Sequence, residues 1–228
     1  MTFTPLTSTD GSVFDAYVAT PTGTPRGGVV VLQEIFGVNA HIRQVADGWA
    51  ADGYVAVAPA VFQRVKAGVE LGYGPDDRAA GMALKAQAEA LPTPGVMPDV
   101  QAAVNLAARL GQGKVGVVGY CWGGLLAWRA AGVLTGVAVV VPYYGGGITT
   151  EGERARQPQC PVLAHFADND AHIPLEGVRA FEAAQPGVAV HVYPAQHGFN
   201  CDHRAAWDAP AAALARARTA AFLAQHVG

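Results

Sequence analysis

The stretch Val118–Gly124, VGYCWGG, decides how the rest of the chain is read. It overlaps the end of KVGVVG, an apolar β-branched run that predicts a strand, and precedes LLAWRAAGVL, which predicts a helix. A residue with glycines two positions away on each side, at a strand-to-helix turn, is the setting of a hydrolase nucleophile. The sterics demand Gly119 and Gly123. The central residue takes a strained backbone conformation, and side chains on either side would collide as strand and helix pack. The turn also aims the Trp122 N–H at the reaction centre from the positive end of the helix. The central residue here is cysteine. Serine is excluded, because Ser8 and Ser12 near the N-terminus are the only serines in the chain. Cys121 is therefore either a nucleophile or a small buried residue, as free cysteines often are. The strand–turn–helix context favours the nucleophile.

Outward from this turn, short apolar runs alternate with helical patterns. GVVVLQ, YVAVAP, KVGVVG, GVAVVVPYY, PVLAHFA and VAVHVYPA read as strands, and the segment from His41 to Ala51 as a helix stopped by Asp52-Gly53. This order predicts an α/β fold: a mostly parallel, doubly wound sheet with helices on both faces. FTPLTS, a turn at Asp10-Gly11 and VFDAYVAT predict an antiparallel N-terminal hairpin at one edge. Residues 61–95 break the rhythm, first loop-rich and then helical, as expected of a segment that shapes a pocket. A last helix is expected from near Ala205 through AAALARARTAAFLAQ. With no repeat and no linker, residues 1–228 read as one domain.

With 51% hydrophobic and only 14% charged residues, the chain of 228 residues belongs with core-rich globular proteins. A net charge of −3 and dispersed basic residues argue against nucleic acid or an anionic membrane surface as partner. MTFTPLTSTDGS has no basic start followed by an apolar stretch, so no secretory leader is expected. No apolar run approaches the roughly 18 residues that span a bilayer. Cys121, Cys160 and Cys201 are widely spaced and form no CxxC, which suits a reducing cytoplasm and neither a disulfide framework nor a zinc site. No cofactor and no metal are expected, and the oligomeric state is open.

In this architecture the acid and then the base follow the nucleophile, on loops at the carboxyl ends of later strands. His41 precedes Cys121, His165 and His191 lie inside predicted strands, and His226 ends the chain. His197, in the loop YPAQHGFN after a strand, has the right place, with His203 as its competitor nearer the last helix. For the acid, Asp168 and Asp170 in ADNDAHIP both qualify by order. Asp168 has the simpler role of turning the chain, whereas Asp170 lies deeper, where a carboxylate can reach back to fix the imidazole. Glu34 follows the first apolar strand in GVVVLQEIFGVN. It reads as a loop carboxylate, but it stands where an oxyanion loop belongs, so the Ile35 amide is a second candidate donor beside Trp122.

Together, QEIFGVN at 33–39, GYCWGG at 119–124, DNDAHIP at 168–174 and QHGFNCD at 196–202 resemble the dienelactone hydrolase (carboxymethylenebutenolidase) family of α/β hydrolases. The resemblance runs nearly the whole chain. It implies a Cys121–His197–Asp170 triad with oxyanion donors at Ile35 and Trp122, and it favours Asp170 over Asp168. It also implies that Glu34 contacts the resting thiol and that substrate binding releases the cysteine toward the histidine. The family's two arginines for the substrate carboxylate are not in their usual places. Ala80 occupies one, with Arg78 close by; Cys201 occupies the other, with Arg204 three residues further.

The expected function is cleavage of a small ester or lactone through a thioester, without a cofactor. A thiol carboxylesterase or acyl transferase with another acyl substrate is the nearest alternative. A redox-sensing thiol protein, with Cys201 resolving Cys121, is another. Because Cys201 carries no positive charge, a weakened preference for anionic substrates is expected.

Overall fold

The computed structural model describes residues 2–228. Each apolar run becomes a strand: β1 (Thr2–Thr7), β2 (Val13–Ala19), β3 (Gly28–Leu32), β4 (Val55–Pro59), β5 (Val115–Tyr120), β6 (Val137–Tyr143), β7 (Leu163–Ala167) and β8 (Ala189–Tyr193). They form one sheet in the order β1-β2-β4-β3-β5-β6-β7-β8. β1 and β2 make the antiparallel hairpin, β2 runs antiparallel to β4, and from β4 to β8 neighbouring strands are parallel. Burial follows position. Every residue of β3, β4, β5 and β7 is buried, which is why these strands read as unbroken apolar runs. β8, at the far edge, is half-exposed.

The helices are α1 (Ala40–Ala51), α2 (Pro75–Glu89), α3 (Met97–Gly111), α4 (Trp122–Val133), α5 (Glu151–Arg154), α6 (Leu175–Ala184) and α7 (Ala209–His226). Asn39 caps α1 by accepting the Ile42 amide, and Gly53 at φ 97° turns the chain out of it. The segment that breaks the alternation becomes a 3-10 turn at Val61–Arg64, a loop, and α2. One boundary differs from the sequence reading. The last helix begins at Ala209, four residues after Ala205, because Asp208 caps it through the Ala211 amide at 2.9 Å and Pro210 occupies its first turn. The segment between His197 and Asp208 carries Arg204, which lines the cavity described below.

Candidate active site

Cys121 ends β5 at φ 54°, ψ −116°, a conformation that strains any L residue, and its amide donates to the Tyr143 carbonyl at 3.0 Å. The neighbouring glycines hold it there. A Cβ on Gly119 would strike the Gly123 carbonyl, and one on Gly123 would strike the carbonyls of Leu32 and Gln33 at the end of β3. A third glycine completes the clamp: a Cβ on Gly124 would lie 2.7 Å from the Tyr143 carbonyl oxygen. Trp122 anchors the first turn of α4. Its indole N–H donates to Glu89 at 2.7 Å and its ring stacks on Phe62. At the first position of the helix its amide has no intrahelical acceptor. The Ile35 amide, after β3, likewise donates to no backbone acceptor among the described residues. The Ile35 carbonyl rests against Gly81 of α2, where any Cβ would collide with it, so α2 abuts the Ile35 peptide directly.

His197 lies in the loop after β8, with Nδ1 2.7 Å from Asp170 Oδ2. The other Asp170 oxygen accepts the amides of His172 at 2.8 Å and Ile173 at 3.1 Å, so the loop fixes the carboxylate before it meets the histidine. Cys121 lines the same cavity as His197. Burial alone would push the His197 pKa down; the Cys121 and Asp170 groups outweigh it and raise it to about 10. Asp168 is exposed and faces a different cavity. His203 is exposed and pairs with Gln44 at 3.3 Å, while His165 is a core residue bonded to the Tyr193 hydroxyl and Thr219. Order along the chain left Asp168 against Asp170 open; the fold brings only Asp170 to His197.

Cys121 and His197 open into a cavity of about 320 Å³. Ile35, Phe36 and Met82 supply apolar wall, and Arg78, Lys85 and Arg204 supply positive charge. No carboxylate lines it among the described residues. Both arginines singled out from the sequence therefore reach the pocket. Arg204 does so although it lies seven residues beyond His197. Tight turns from Gly198 to Cys201 and from Cys201 to Arg204 fold the chain back. The guanidinium then lies on the bare face of Gly198, at φ 87°, where a Cβ would strike it.

Glu34 is almost wholly buried. One carboxylate oxygen accepts from Arg204 at 2.9 Å and the other from the Tyr73 hydroxyl at 3.2 Å. The expected contact with the resting thiol is not among its hydrogen bonds. A buried carboxylate needs a cation, and Arg204 meets that need. Burial opposes the charge of Arg204, but Glu34 and the other groups around it together outweigh burial and raise the Arg204 pKa. Sequence reasoning missed Tyr73, Met82 and Lys85. For α2 a signal existed: Arg78, Met82 and Lys85 follow helical spacing along one face. Metal donors at sequence spacing are lacking, yet the fold brings ligand atoms of Glu34, His41 and Cys201 within 4.8 Å of one another.

Residues 14–227 match the sequence profile of the dienelactone hydrolase family. The chain belongs to that family. A carboxymethylenebutenolidase from Pseudomonas putida is 34% identical over 225 residues, covering 96% of this chain and 94% of the relative. A candidate carboxymethylenebutenolidase from Synechocystis is 37% identical over 201 residues, covering 81% and 80%. Among solved structures of the family, a candidate dienelactone hydrolase from Klebsiella pneumoniae superposes with a TM-score of 0.82 at 28% identity, covering 99% of this chain and 100% of its own. The fold is shared with α/β-hydrolase esterases, such as one from Pyrococcus furiosus at a TM-score of 0.69. No helix of the described residues is long and apolar enough to cross a membrane.

Proposed function

We propose that this family member hydrolyses a small ester or lactone with Cys121 as nucleophile, His197 as acid and base, and Asp170 as the group that orients His197. The observation that carries this reading is the strained Cys121 set against a histidine whose Nδ1 is bonded to a buried aspartate, above a closed-sided cavity. Cys121 Sγ gives its proton to His197 Nε2 and attacks the carbonyl carbon. The displaced π pair goes to oxygen, held by the amides of Ile35 and Trp122. The intermediate then breaks its carbon–oxygen bond, and the leaving alkoxide takes the proton from His197 Nε2. The result is a thioester on Cys121. Water attacks it while His197 takes the water proton, and collapse returns the sulfur as leaving group and frees the acid. Asp170 keeps the Nδ1 proton in place and stabilises the imidazolium.

The pocket wall supports an anionic substrate. Cys201 led the sequence reading toward neutral ones, but Arg204 and Arg78 both stand on the wall and Lys85 joins them. Arg204 is shared with Glu34, so Arg78 and Lys85 are the cations free to meet a substrate carboxylate. The redox reading is not favoured. Cys201 is wholly buried, and burial pushes its thiol up to about 12, which suits neither attack nor resolution. Acyl transfer would use the same thioester with another acceptor, and product analysis separates it from hydrolysis. Three free cysteines fit a cytoplasmic setting. The test is turnover of p-nitrophenyl acetate and small lactones, which Cys121→Ala should abolish. Undiminished turnover in that variant would overturn the assignment.

A further inference from the structure

Behind the catalytic pocket, three buried side chains from distant parts of the chain converge: Glu34 after β3, His41 in α1, and Cys201 in the loop before α7. Glu34 is 1% exposed, His41 3% and Cys201 0%. One ligand atom from each lies within 4.8 Å of the other two. His41 Nδ1 is paired with Asp202 Oδ1 at 3.2 Å, which leaves Nε2 as the ring nitrogen free for another partner. That Nε2 is buried and has no hydrogen-bond partner among the described residues. A buried acceptor left without a partner is costly, so an orphan of this kind points to a group that belongs there. The Tyr144 hydroxyl is another buried group without a hydrogen-bond partner among the described residues.

We infer that Glu34, His41 and Cys201 form a binding site for a thiophilic divalent cation of the zinc type. A thiolate, an imidazole and a carboxylate are a donor set that suits zinc, with a fourth position left for water or the Tyr73 hydroxyl. The Asp202–His41 pair is the outer support that such sites use, a carboxylate that fixes the tautomer and turns the other nitrogen to the metal. On binding, Cys201 Sγ gives its proton to solvent and its electron pair to the metal, so one proton is released per ion bound. No electron transfer is involved. Glu34 joins this site to the catalytic pocket: its carboxylate cannot serve a cation and Arg204 with equal strength.

The site goes beyond the hydrolase reading and is tested without reference to turnover. Co²⁺ is titrated into metal-stripped Cys121→Ala protein, which removes the thiol of the catalytic pocket. The expected result is one tightly bound Co²⁺ with a near-ultraviolet thiolate-to-cobalt charge-transfer band, displaced by one equivalent of Zn²⁺. Adding Cys201→Ser should abolish the band. In place of it, His41→Gln should weaken Co²⁺ binding at least tenfold while circular dichroism shows both proteins folded. Absence of the band, or a band of the same strength and affinity in both variants, overturns the site.

Discussion

The two sides of the active-site cavity are built differently. On one, Cys121, His197 and Asp170 sit on turns at the ends of β5, β8 and β7; backbone contacts hold Cys121 and Asp170, and Asp170 holds His197. Gly119, Gly123 and Gly124 leave no room for a Cβ, and Asp170 is pinned by two amides. On the other, Arg78, Met82 and Lys85 project from α2, where Met82 is 53% exposed and no contact of comparable tightness restrains the side chains. Only at Gly81 does the backbone of α2 press on the chemistry, through the Ile35 carbonyl. The chemistry thus rests on backbone geometry, which tolerates little change, and the choice of substrate on side chains of one helix, which can change freely.

If this division holds, the largest loss comes from the strand-end side. His197→Ala should lower kcat by several powers of ten. Asp170→Asn should cost on the order of 10⁴-fold, because the wrong tautomer then faces the thiol. Asp168→Asn, at an exposed carboxylate, should leave kcat within about twofold, and the reverse ranking would break the comparison at its first point. On the α2 side, effects should be smaller and of another kind. For a carboxylate-bearing lactone, Arg78→Ala or Lys85→Ala should lower kcat/KM about tenfold, below the roughly 1.5–3 kcal/mol of a dry charged hydrogen bond because these side chains are partly solvated. The methyl ester of the same lactone should be unaffected. An equal loss with acid and ester would show that α2 supports the catalytic geometry and does not read charge.

A last effect, on stability and not on turnover, is expected beneath the site. Burial pushes the pKa of His165 in β7 down to about 3, so the folded chain refuses a proton that the unfolded chain binds below its ordinary value near 6.5. Stability from this group is complete above pH 6.5 and is lost as pH falls toward 3, at about 1.4 kcal/mol per pH unit. In urea unfolding between pH 6 and pH 4, His165→Gln should flatten the dependence of stability on pH by one proton. An unchanged slope would mean that His165 is charged in the fold.

The same division explains what was legible in the sequence. The strand–turn–helix around Cys121 could be read because its constraints are local: strand, glycine, cysteine, glycine and helix lie within a few residues. The buried parallel strands could be read from their unbroken apolar runs. Arg204 could not be placed, since its reach depends on two tight turns and on the bare face of Gly198. The hydrogen-bond partners of Glu34 could not be read for the same reason, because the chain brings Arg204 and Tyr73 to it from far away. Glu34, His41 and Cys201 have no metal-site spacing at all; only the fold makes them neighbours. The start of α7 was legible and missed: Asp208 followed by Pro210 is a capping signal, and the apolar pattern alone set the boundary too early.

The central claim is that a covalent thioester forms on Cys121. Acid quenching during turnover of p-nitrophenyl acetate, followed by peptide mass spectrometry, tests it directly, with Asp170→Asn as a second sample in which slowed deacylation holds the intermediate. The account predicts one acetyl group per chain, on the peptide that carries Cys121 and removed by neutral hydroxylamine, with Cys160 and Cys201 unlabelled. Sustained turnover with no acyl group on Cys121 in either sample would contradict it.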